Sequence, residues 1–240
     1  MVNMKTLTFR SFSDELAGFL WPEEDDKQRG KRRRILFAAT ELFIQLGYRK
    51  TTIDAIAKQA AIAKGTIYLY YGNKAEIVLH AIGLEKLNHL KQLVKHIGED
   101  LSPKDILRTY IVVAVVMSRQ MPLTASLLRG DQEISFAMQE VDDQLKVLVE
   151  QKRVGTLSGL LDDATNHQLP RTRLKALSLS LDRLLNSVFL STNVFSVEMS
   201  PIKYAENLAA MLIDGLINAN DQRPSDALKP LYKELSKKIP

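Results

Sequence analysis

Residues 31–78 constrain the fold of this chain more than any other stretch, because they have the pattern of three short helices joined by tight turns. In the first helix, apolar residues recur at the spacing of one helical face. They are Ile35, Ala38, Ala39, Leu42, Phe43 and Leu46. Gly47 follows and can end the helix in the left-handed conformation. The stretch therefore predicts a small helical unit with a core of its own.

The next two helices of this unit are short. Thr51 and Asp54 have the spacing of a capping box, which predicts a helix of about two turns from that point. Its buried side would be formed by Ile53, Ile56, Ala57 and Ala60. A third helix is expected to begin at Lys64, with Ile67 and Tyr71 turned inward. The residues left outside are Lys64, Thr66, Tyr68 and Tyr70.

Two short helices joined by a tight turn, the second with polar side chains outside, predict a helix-turn-helix whose second helix enters the major groove. Gly65 would let the backbone approach a phosphate. Lys74 is placed to neutralise a phosphate or to interact with the end of the helix. Tyrosines at helical spacing more often pack in a core than read bases, and we assign Tyr71 to that role. Tyr68 and Tyr70 are assigned to DNA.

The order of these residues resembles the N-terminal domain of the TetR family of transcriptional regulators, with its signature AA-x-x-L-F, G-Y, T-T, I-A, K-G-T-x-Y-x-Y-aromatic and a following Lys. The matching residues are Ala38, Ala39, Leu42, Phe43, Gly47, Tyr48, Thr51, Thr52, Ile56, Ala57, Lys64, Gly65, Thr66, Tyr68, Tyr70, Tyr71 and Lys74. The resemblance implies an all-α homodimer with a three-helix DNA-binding head and a larger helical domain for ligand binding and dimerisation. Ala61 stands where the family usually has Gly, so the turn is expected to be reshaped or strained by on the order of 1 kcal/mol.

Basic side chains are concentrated in the head. Residues 27–74 hold eleven basic and two acidic residues, whereas residues 1–26 hold two and six, and residues 75–240 hold twenty of each. A local positive excess is what phosphate binding requires, although a membrane surface would attract it as well. Because no apolar run has the length of a membrane-spanning helix and the chain has no cysteine, we expect a cytoplasmic protein without disulfides.

The predicted DNA contacts combine this charge with the helix-turn-helix. They are Arg33, Arg34, Thr51, Thr52, Lys64, Gly65, Thr66, Tyr68, Tyr70 and Lys74. The two arginines are included because basic arms of many DNA-binding folds run along or into the minor groove. The alternative for them is a solvated linker.

Residues 1–30 form an extension ahead of this head. Phe9, Phe12, Leu16, Phe19 and Leu20 fall on one helical face, and Pro22 ends the pattern. We predict a short amphipathic helix and a charged linker, which dock on the body of the protein or on a protein partner. Deletion of residues 1–26 is expected to leave folding intact.

Beyond the head, the pattern predicts a connecting helix from residue 73 to about 97, a helix opened by Ser102 and Pro103, a short helix over 123–129 and one long helix over 132–164. The centre of the second, YIVVAVVM, is apolar on every side and is expected to be buried all round. The resemblance implies that this helix lines a ligand cavity. Candidate cavity residues are Arg108, Tyr110, Ile111, Val115, Arg119, Phe136 and Phe189.

Two further helices carry apolar stripes that predict a dimer interface. The predicted interface residues are Leu177, Leu181, Leu184, Leu185, Val188, Leu208, Leu212 and Leu216. The alternative is that both stripes complete the core of one chain. Residues 221–240, with three prolines, are expected to form a loosely held tail.

No motif for catalysis or cofactor binding is present, and the four histidines are too scattered to predict a metal site. We therefore expect no cofactor and no enzymatic activity. The divisions are an extension (1–30), a DNA-binding domain (31–75), an effector-binding and dimerisation domain (76–220) and a tail (221–240). The predicted function is a repressor that a small apolar or amphipathic effector releases from a palindromic operator. The alternatives are control by a protein partner through the extension and, with least support, an enzyme.

Overall fold

The computed structural model describes residues 9–22, 25–95, 101–117, 120–188 and 200–218. These residues form eleven α-helices and no strand, so the predicted all-α fold is confirmed. The helices are α1 (Phe9–Leu20), α2 (Asp26–Lys50), α3 (Ile53–Gln59), α4 (Lys64–Ile67), α5 (Lys74–Val94), α6 (Pro103–Met117), α7 (Pro122–Leu128), α8 (Gln132–Glu140), α9 (Asp143–Ala164), α10 (Arg171–Val188) and α11 (Pro201–Asn218). The predicted tail lies outside the described residues.

Helix α2 begins five residues before the predicted head, because Asp25 caps it by accepting a hydrogen bond from the backbone N–H of Gln28 at 2.7 Å. The predicted apolar stripe is buried from Ile35 to Phe43, but Leu46 is 45% exposed. Gly47 has a positive φ of +80°, but its ψ is 169°, so it kinks α2 instead of ending it as predicted, and the helix continues for one further turn to Lys50.

The N-cap of α3 is Thr52 rather than Thr51. The Thr52 hydroxyl accepts a hydrogen bond from the Ala55 N–H at 3.1 Å, whereas Thr51 is fully buried and its hydroxyl donates to the Gly47 carbonyl at 2.8 Å. The two adjacent threonines have opposite roles because the chain needs one hydroxyl to close α2 and the next to open α3.

The turn between α3 and α4 passes through Ala61, which has a φ of +52°. The Ile62 N–H donates to the Ala57 carbonyl at 3.0 Å and the Ala61 N–H donates to the Lys58 carbonyl at 3.2 Å, the paired bonds of a Schellman motif. The chain therefore keeps the turn geometry that glycine favours, with alanine in the strained position.

Helix α5 is the central connector, because α1, α2, α7 and α8 all pack against it. Asn73 caps its start by accepting a hydrogen bond from the Glu76 N–H at 2.8 Å. The buried Glu85 of α5 accepts hydrogen bonds from the N–H groups of Leu123 and Thr124, both at 2.9 Å. The Glu85 carboxylate therefore accepts hydrogen bonds from N–H groups at the start of α7 that have no partner within that helix, and it ties α7 to α5.

The predicted long helix over residues 132–164 was wrong, because it is two helices. Val141 is extended, with φ −68° and ψ 140°. Asp142 then caps α9 by accepting hydrogen bonds from the N–H groups of Gln144 and Leu145. Helix α8 packs against α2 and α5, whereas α9 packs against α6 and α10.

The extension is part of the body of the protein. Helix α1 packs along α5, with Leu20 fully buried and Phe12 almost so. Leu20 lies in the core shared with the head, and Phe12 lies in the core formed by α6, α9, α10 and α11. The expectation that residues 1–26 are dispensable for folding is therefore wrong, since their removal would open both cores.

The two predicted interface helices pack against different neighbours in the same chain, α10 against α9 and α11 against α6. Leu181 and Leu185 are buried in this packing, so their assignment to a dimer interface is corrected. Leu177, Leu184, Leu208 and Leu212 remain half-buried. The side chains of Val188 and Leu216 lie outside the described set.

Candidate DNA-binding surface and ligand cavity

Helix α4 and the turn after it present an exposed face on the head. Tyr68 is 51% exposed, and Lys64 and Gly65 are exposed beside it. A Cβ added at Gly65 would meet no atom within 4 Å, so this backbone is open to an approaching surface. Thr66 is half-buried, and the neighbouring Leu69, which the sequence interpretation did not single out, is the most exposed large apolar residue of the head.

Lys64 is held by an ion pair with Asp54, at 2.8 Å between Nζ and Oδ2. This hydrogen bond and the negative charge of Asp54 raise the pKa of Lys64 above its usual value. Asp54, predicted to complete a capping box, instead joins α3 to the start of α4. Both side chains are exposed, so a phosphate can compete for the lysine.

Tyr70 is half-buried and is covered by Arg32, which the sequence interpretation did not assign. The guanidinium carbon of Arg32 lies 5.3 Å from the ring centroids of both Tyr70 and Tyr71, and its Nη1 donates to the Tyr70 carbonyl at 3.4 Å. This contact fixes the turn after α4 against α2. A DNA contact by Tyr70 remains a prediction, and its ring has a structural role as well.

Lys74 is engaged inside the head. Its Nζ donates to the carbonyls of Tyr48 at 2.8 Å and Thr51 at 3.0 Å, and it lies 4.1 Å from the centroid of the Tyr48 ring. Burial lowers the pKa of Lys74, although the carboxylates of Glu140 and Glu133 oppose that shift. Lys74 thus contacts the end of α2, whereas its predicted interaction was with the end of the third helix. Its phosphate contact remains a prediction.

The remaining predicted DNA contacts differ in accessibility. Arg33 and Arg34 are exposed near the start of α2, and Arg33 lies over the ring of Trp21 at 5.2 Å from the centroid. Thr52 is exposed at the start of α3, but Thr51 is fully buried. Thr51 therefore supports the backbone of the head and cannot reach DNA without unfolding the turn.

The head is joined to α8 by hydrogen bonds around Glu140 and Glu133. The Tyr48 hydroxyl donates to Glu140 Oε2 at 3.2 Å, and the Arg49 N–H donates to Glu133 Oε2 at 3.0 Å. Burial and the adjacent Glu140 carboxylate raise the pKa of Tyr48. A movement of α8 or α5 therefore acts directly on the end of α2.

A cavity of about 330 Å³ lies between α1, α5, α6, α9 and α10. Its lining is mainly apolar and includes Phe12, Leu16 and Phe19 from α1 and Val113 and Ala114 from α6. This volume lies at the small end of the range of ligand pockets, about 300–1,000 Å³. The cavity can therefore hold a small apolar or amphipathic molecule.

The cavity lining also carries charged side chains. Arg153 is paired with Asp182, at 2.6 Å between Nε and Oδ1 and 3.0 Å between Nη2 and Oδ2. Lys86, Lys152 and Glu15 also line the cavity. The ammonium of Lys86 makes no hydrogen bond or ion pair among the described residues. More than a third of the surface of Lys86 is accessible to solvent. The protein atoms packed around its ammonium, followed by the charge of Arg153, lower the pKa of Lys86, whereas Asp182 and Glu85 oppose that shift.

Most of the residues predicted to line the cavity do not line it. Only Tyr110 is shared, and burial raises the pKa of its hydroxyl to about 12. Ile111 and Val115 are buried in the core on another side of α6, Phe136 is 56% exposed on α8, and Arg108 is exposed beside Asp105 at 3.7 Å. Arg119 and Phe189 lie outside the described residues. Several other residues of the YIVVAVVM segment are half-buried rather than buried all round.

A second row of residues on α5 could have indicated this cavity from the sequence. Leu79, Ile82, Lys86 and Leu90 fall at helical spacing on one face, with a lysine within an otherwise apolar row. A cation in an apolar stripe is costly unless it meets a partner or solvent. Another apolar row on the same helix, through Ile77, Ala81, Leu84 and Leu87, is buried in the core and dominates the pattern of α5.

None of the helices in the described ranges is long and apolar enough to cross a lipid bilayer. The histidines do not combine with other potential ligands either, since no group of three His, Cys, Asp or Glu in those ranges could hold a metal ion.

Comparison with known proteins identifies the helix-turn-helix region. Residues 35–81 match the model of the bacterial regulatory proteins of the tetR family. The fatty acid metabolism regulator protein of Bacillus subtilis is 32% identical over 136 residues, which cover 57% of this chain and 65% of that protein. The transcriptional regulator RutR of Escherichia coli is 29% identical over 124 residues, covering 51% and 58%. The chain thus spans about three fifths of the length of these curated relatives.

Solved structures extend the likeness of fold beyond the head. The fatty acid degradation regulator FadR from Bacillus halodurans superposes with a TM-score of 0.53 at 17% identity, over 81% of this chain and 98% of that one. At this identity the likeness concerns the fold alone.

Proposed function

We propose that this chain is a DNA-binding transcriptional repressor of the tetR family, whose model residues 35–81 match, and that a small apolar or amphipathic ligand releases it from its operator. The observation that carries the proposal is the position of α5. Its first residue, Lys74, holds the end of α2, and its later turns line the cavity. One rigid helix therefore connects the two sites.

The exposed face around α4 is proposed to enter the major groove. Tyr68, Lys64 and Gly65 are accessible there, whereas Ile67 and Tyr71 fix the helix to the core. Exposed Arg34 and Arg33 extend the positive surface towards the DNA backbone. Phosphate contacts would position the head and Tyr68 would contribute to base reading. Operator binding requires access to the chromosome, so we place the protein in the cytoplasm.

A homodimer is proposed through the outer faces of α10 and α11. Met211 is 73% exposed, and Leu208 and Leu212 beside it are half-buried. An apolar face of this kind is stabilised when a partner covers it. Met211→Asp is expected to give monomers by sedimentation with unchanged helix content, because the side chain does not enter the core. A dimeric Met211→Asp protein would contradict this interface.

Ligand binding would alter operator affinity only if the cavity binds its ligand more tightly in the state that does not fit DNA. Since α5 lines the cavity and holds the head, a small shift of α5 changes the separation of the two reading helices. Successive major grooves lie about 34–36 Å apart, which makes binding sensitive to that separation. The name of the Bacillus subtilis relative makes fatty acids and their derivatives the first ligands to test.

The experiment that tests this function is selection of bound sequences from a random duplex library with the purified full-length protein. The proposal predicts enrichment of one pseudo-palindromic sequence, protected by the protein in footprinting. Ligands are then tested for release of that duplex. Enrichment of no sequence would contradict the proposal, and conversion of a ligand to product would favour an enzyme instead.

Control by a protein partner through the extension is the second candidate. The surface of α1 is partly occupied by α5 and the cavity, so fewer of its apolar residues are available to a partner than the sequence predicted. Binding proteins recovered through the extension alone, with no ligand effect on operator affinity, would favour this candidate.

A further inference from the structure

Helix α1 lies outside the region that matches the family model, yet it supplies four side chains to the cavity. Phe12, Glu15, Leu16 and Phe19 recur at intervals of three or four residues, so they form one face of this helix. The same cavity is lined by Ile82, Lys86 and Leu90 of α5 and by Thr156 and Leu157 of α9. A molecule in this cavity would touch both the extension and the connector.

The charges of the lining indicate the chemical class of that molecule. Arg153 and Asp182 neutralise each other in a close pair. The other charged residues named in the lining are the cations Lys86 and Lys152 and the carboxylate Glu15, so the remaining charge of the lining is positive. The other lining residues are mostly apolar. A ligand with one anionic end and an apolar chain would match both parts of the surface.

We propose that α1 is a wall of the effector site and that the effector is an amphiphile whose anionic end is bound by Lys86, with its apolar part against Phe12, Leu16 and Phe19. The binding site is inferred from the cavity alone, whereas the claim that its ligand is an effector rests on the proposed function. Glu15 lies on the same wall and disfavours the anion, which tunes the affinity downward. The ammonium of Lys86, which makes no hydrogen bond or ion pair with the residues that the structure describes, gains a partner in that anion.

The same wall connects the cavity to the head. The Phe19 ring stacks on His80, with centroids 4.9 Å apart and planes at 11°, and His80 meets the edge of Tyr71 at 5.1 Å. Tyr71 follows the reading helix. Trp21, directly after α1, lies against Arg33 of α2. Ligand contact with α1 therefore reaches the head in two ways, through His80 of α5 to Tyr71 and through Trp21 to Arg33 of α2.

The test uses the full chain without DNA and saturated straight-chain carboxylates as probes, namely octanoate, dodecanoate and hexadecanoate, with the matched alcohols as neutral controls. Binding is measured by calorimetry below the micelle concentration and by the fluorescence of Trp21, the single tryptophan of the chain. We expect at least one carboxylate to bind more tightly than its alcohol. Lys86→Met should weaken that carboxylate about tenfold or more and abolish the preference, while Lys91→Met, an exposed lysine of the same helix, should not.

A second pair of variants tests the wall itself. Glu15→Gln should tighten carboxylate binding several-fold, because it removes a like charge from the cavity, whereas Asp14→Asn, its exposed neighbour, should leave binding unchanged. Equal behaviour of these two variants, wild-type binding by Lys86→Met, or no carboxylate binding would overturn the inference. A protein that selects an operator but binds no carboxylate would refute this inference alone. A protein that binds carboxylates in this pattern but selects no duplex would refute only the proposed function.

Discussion

Leu20 of α1 is fully buried against Gly83 of α5, and a Cβ built on Gly83 would lie 3.1 Å from Cδ2 of Leu20. The close approach of these two residues brings the extension onto the connector helix. It also explains why a glycine stands inside a long helix, where it would otherwise weaken the fold.

Substitution of Gly83 tests this contact. Gly83→Ala gains helix propensity of up to about 1 kcal/mol, but the added methyl would press on the fully buried Leu20, and overpacking costs about 1–3 kcal/mol, so we expect a net loss of stability. Gly155→Ala is the matched control, because Gly155 lies in α9 with no atom near the added Cβ, and it should stabilise the protein. Urea unfolding measures both. If the two variants were equally stabilised, Leu20 would not be packed against α5 as described.

The strained turn of the head gives a second prediction. Ala61 has a φ of +52°, so Ala61→Gly should relieve strain and raise stability by up to about 1 kcal/mol, although the glycine also loosens the unfolded chain. Ala176→Gly is the control, since Ala176 is exposed within α10 and glycine there should cost up to about 1 kcal/mol. Thermal unfolding should show the Ala61→Gly protein to be the more stable of the two. A lower stability for Ala61→Gly than for Ala176→Gly would contradict the positive φ.

The head was more predictable from sequence than the cavity, for a physical reason. The stripe from Ile35 to Phe43 has polar residues on part of the opposite face, so its buried side is unambiguous. Helix α6 is apolar all round in its centre, and periodicity cannot say that Tyr110, Val113 and Ala114 face the cavity while Ile111 and Val115 face the core.

The positions where helices end and the residues that cap them were also hard to predict from the sequence. Asp142 is compatible with a helix interior as well as with an N-cap, so the end of α8 carried no unmistakable signal. The adjacent Thr51 and Thr52 offered two possible caps, and only their packing distinguishes them. The position of α1 depends on the space beside Gly83, and that space exists only in the folded tertiary structure.

His80 predicts a pH dependence of stability. Burial between Phe19 and Tyr71 lowers its pKa below the usual 6.5, and Arg32 acts in the same direction, whereas the Glu76 carbonyl and carboxylate oppose the shift. The unfolded chain therefore takes up a proton at a higher pH than the folded chain does. The contribution of His80 is present above about pH 6.5 and is lost as the pH falls below that value.

The matching variant is His80→Phe, which keeps an aromatic ring between Phe19 and Tyr71 and cannot titrate. Its free energy of unfolding should fall less than that of the wild type between about pH 7.5 and pH 5.5. His167→Asn is a control of opposite sign, because the hydrogen bond that the His167 ring donates to the Asp162 carboxylate raises the pKa of that exposed histidine. Identical pH profiles for His80→Phe and wild type would show that His80 titrates as in the unfolded chain.

The role of Lys74 in stability can be tested separately from its role in DNA binding. Lys74→Met leaves the carbonyls of Tyr48 and Thr51 without their ammonium donor, and should lower stability by about 1–2 kcal/mol. Lys58→Met, an exposed lysine of α3, should change stability little. If Lys74 also contacts a phosphate, its loss reduces the salt dependence of DNA affinity by about one charge per head. An unchanged free energy of unfolding would contradict the internal role.

The central claim, that the exposed face of α4 reads DNA, is tested most directly by the affinity of Tyr68→Ala for the selected operator and for a scrambled duplex, measured by fluorescence anisotropy across a salt series. Tyr68 is half exposed, so the variant should remain folded and dimeric, as circular dichroism and sedimentation would verify. The account predicts a loss of about 1–3 kcal/mol on the operator and little change on the scrambled duplex. Binding of the operator by folded Tyr68→Ala with wild-type affinity would contradict the account, because Tyr68 would then make no contribution to reading.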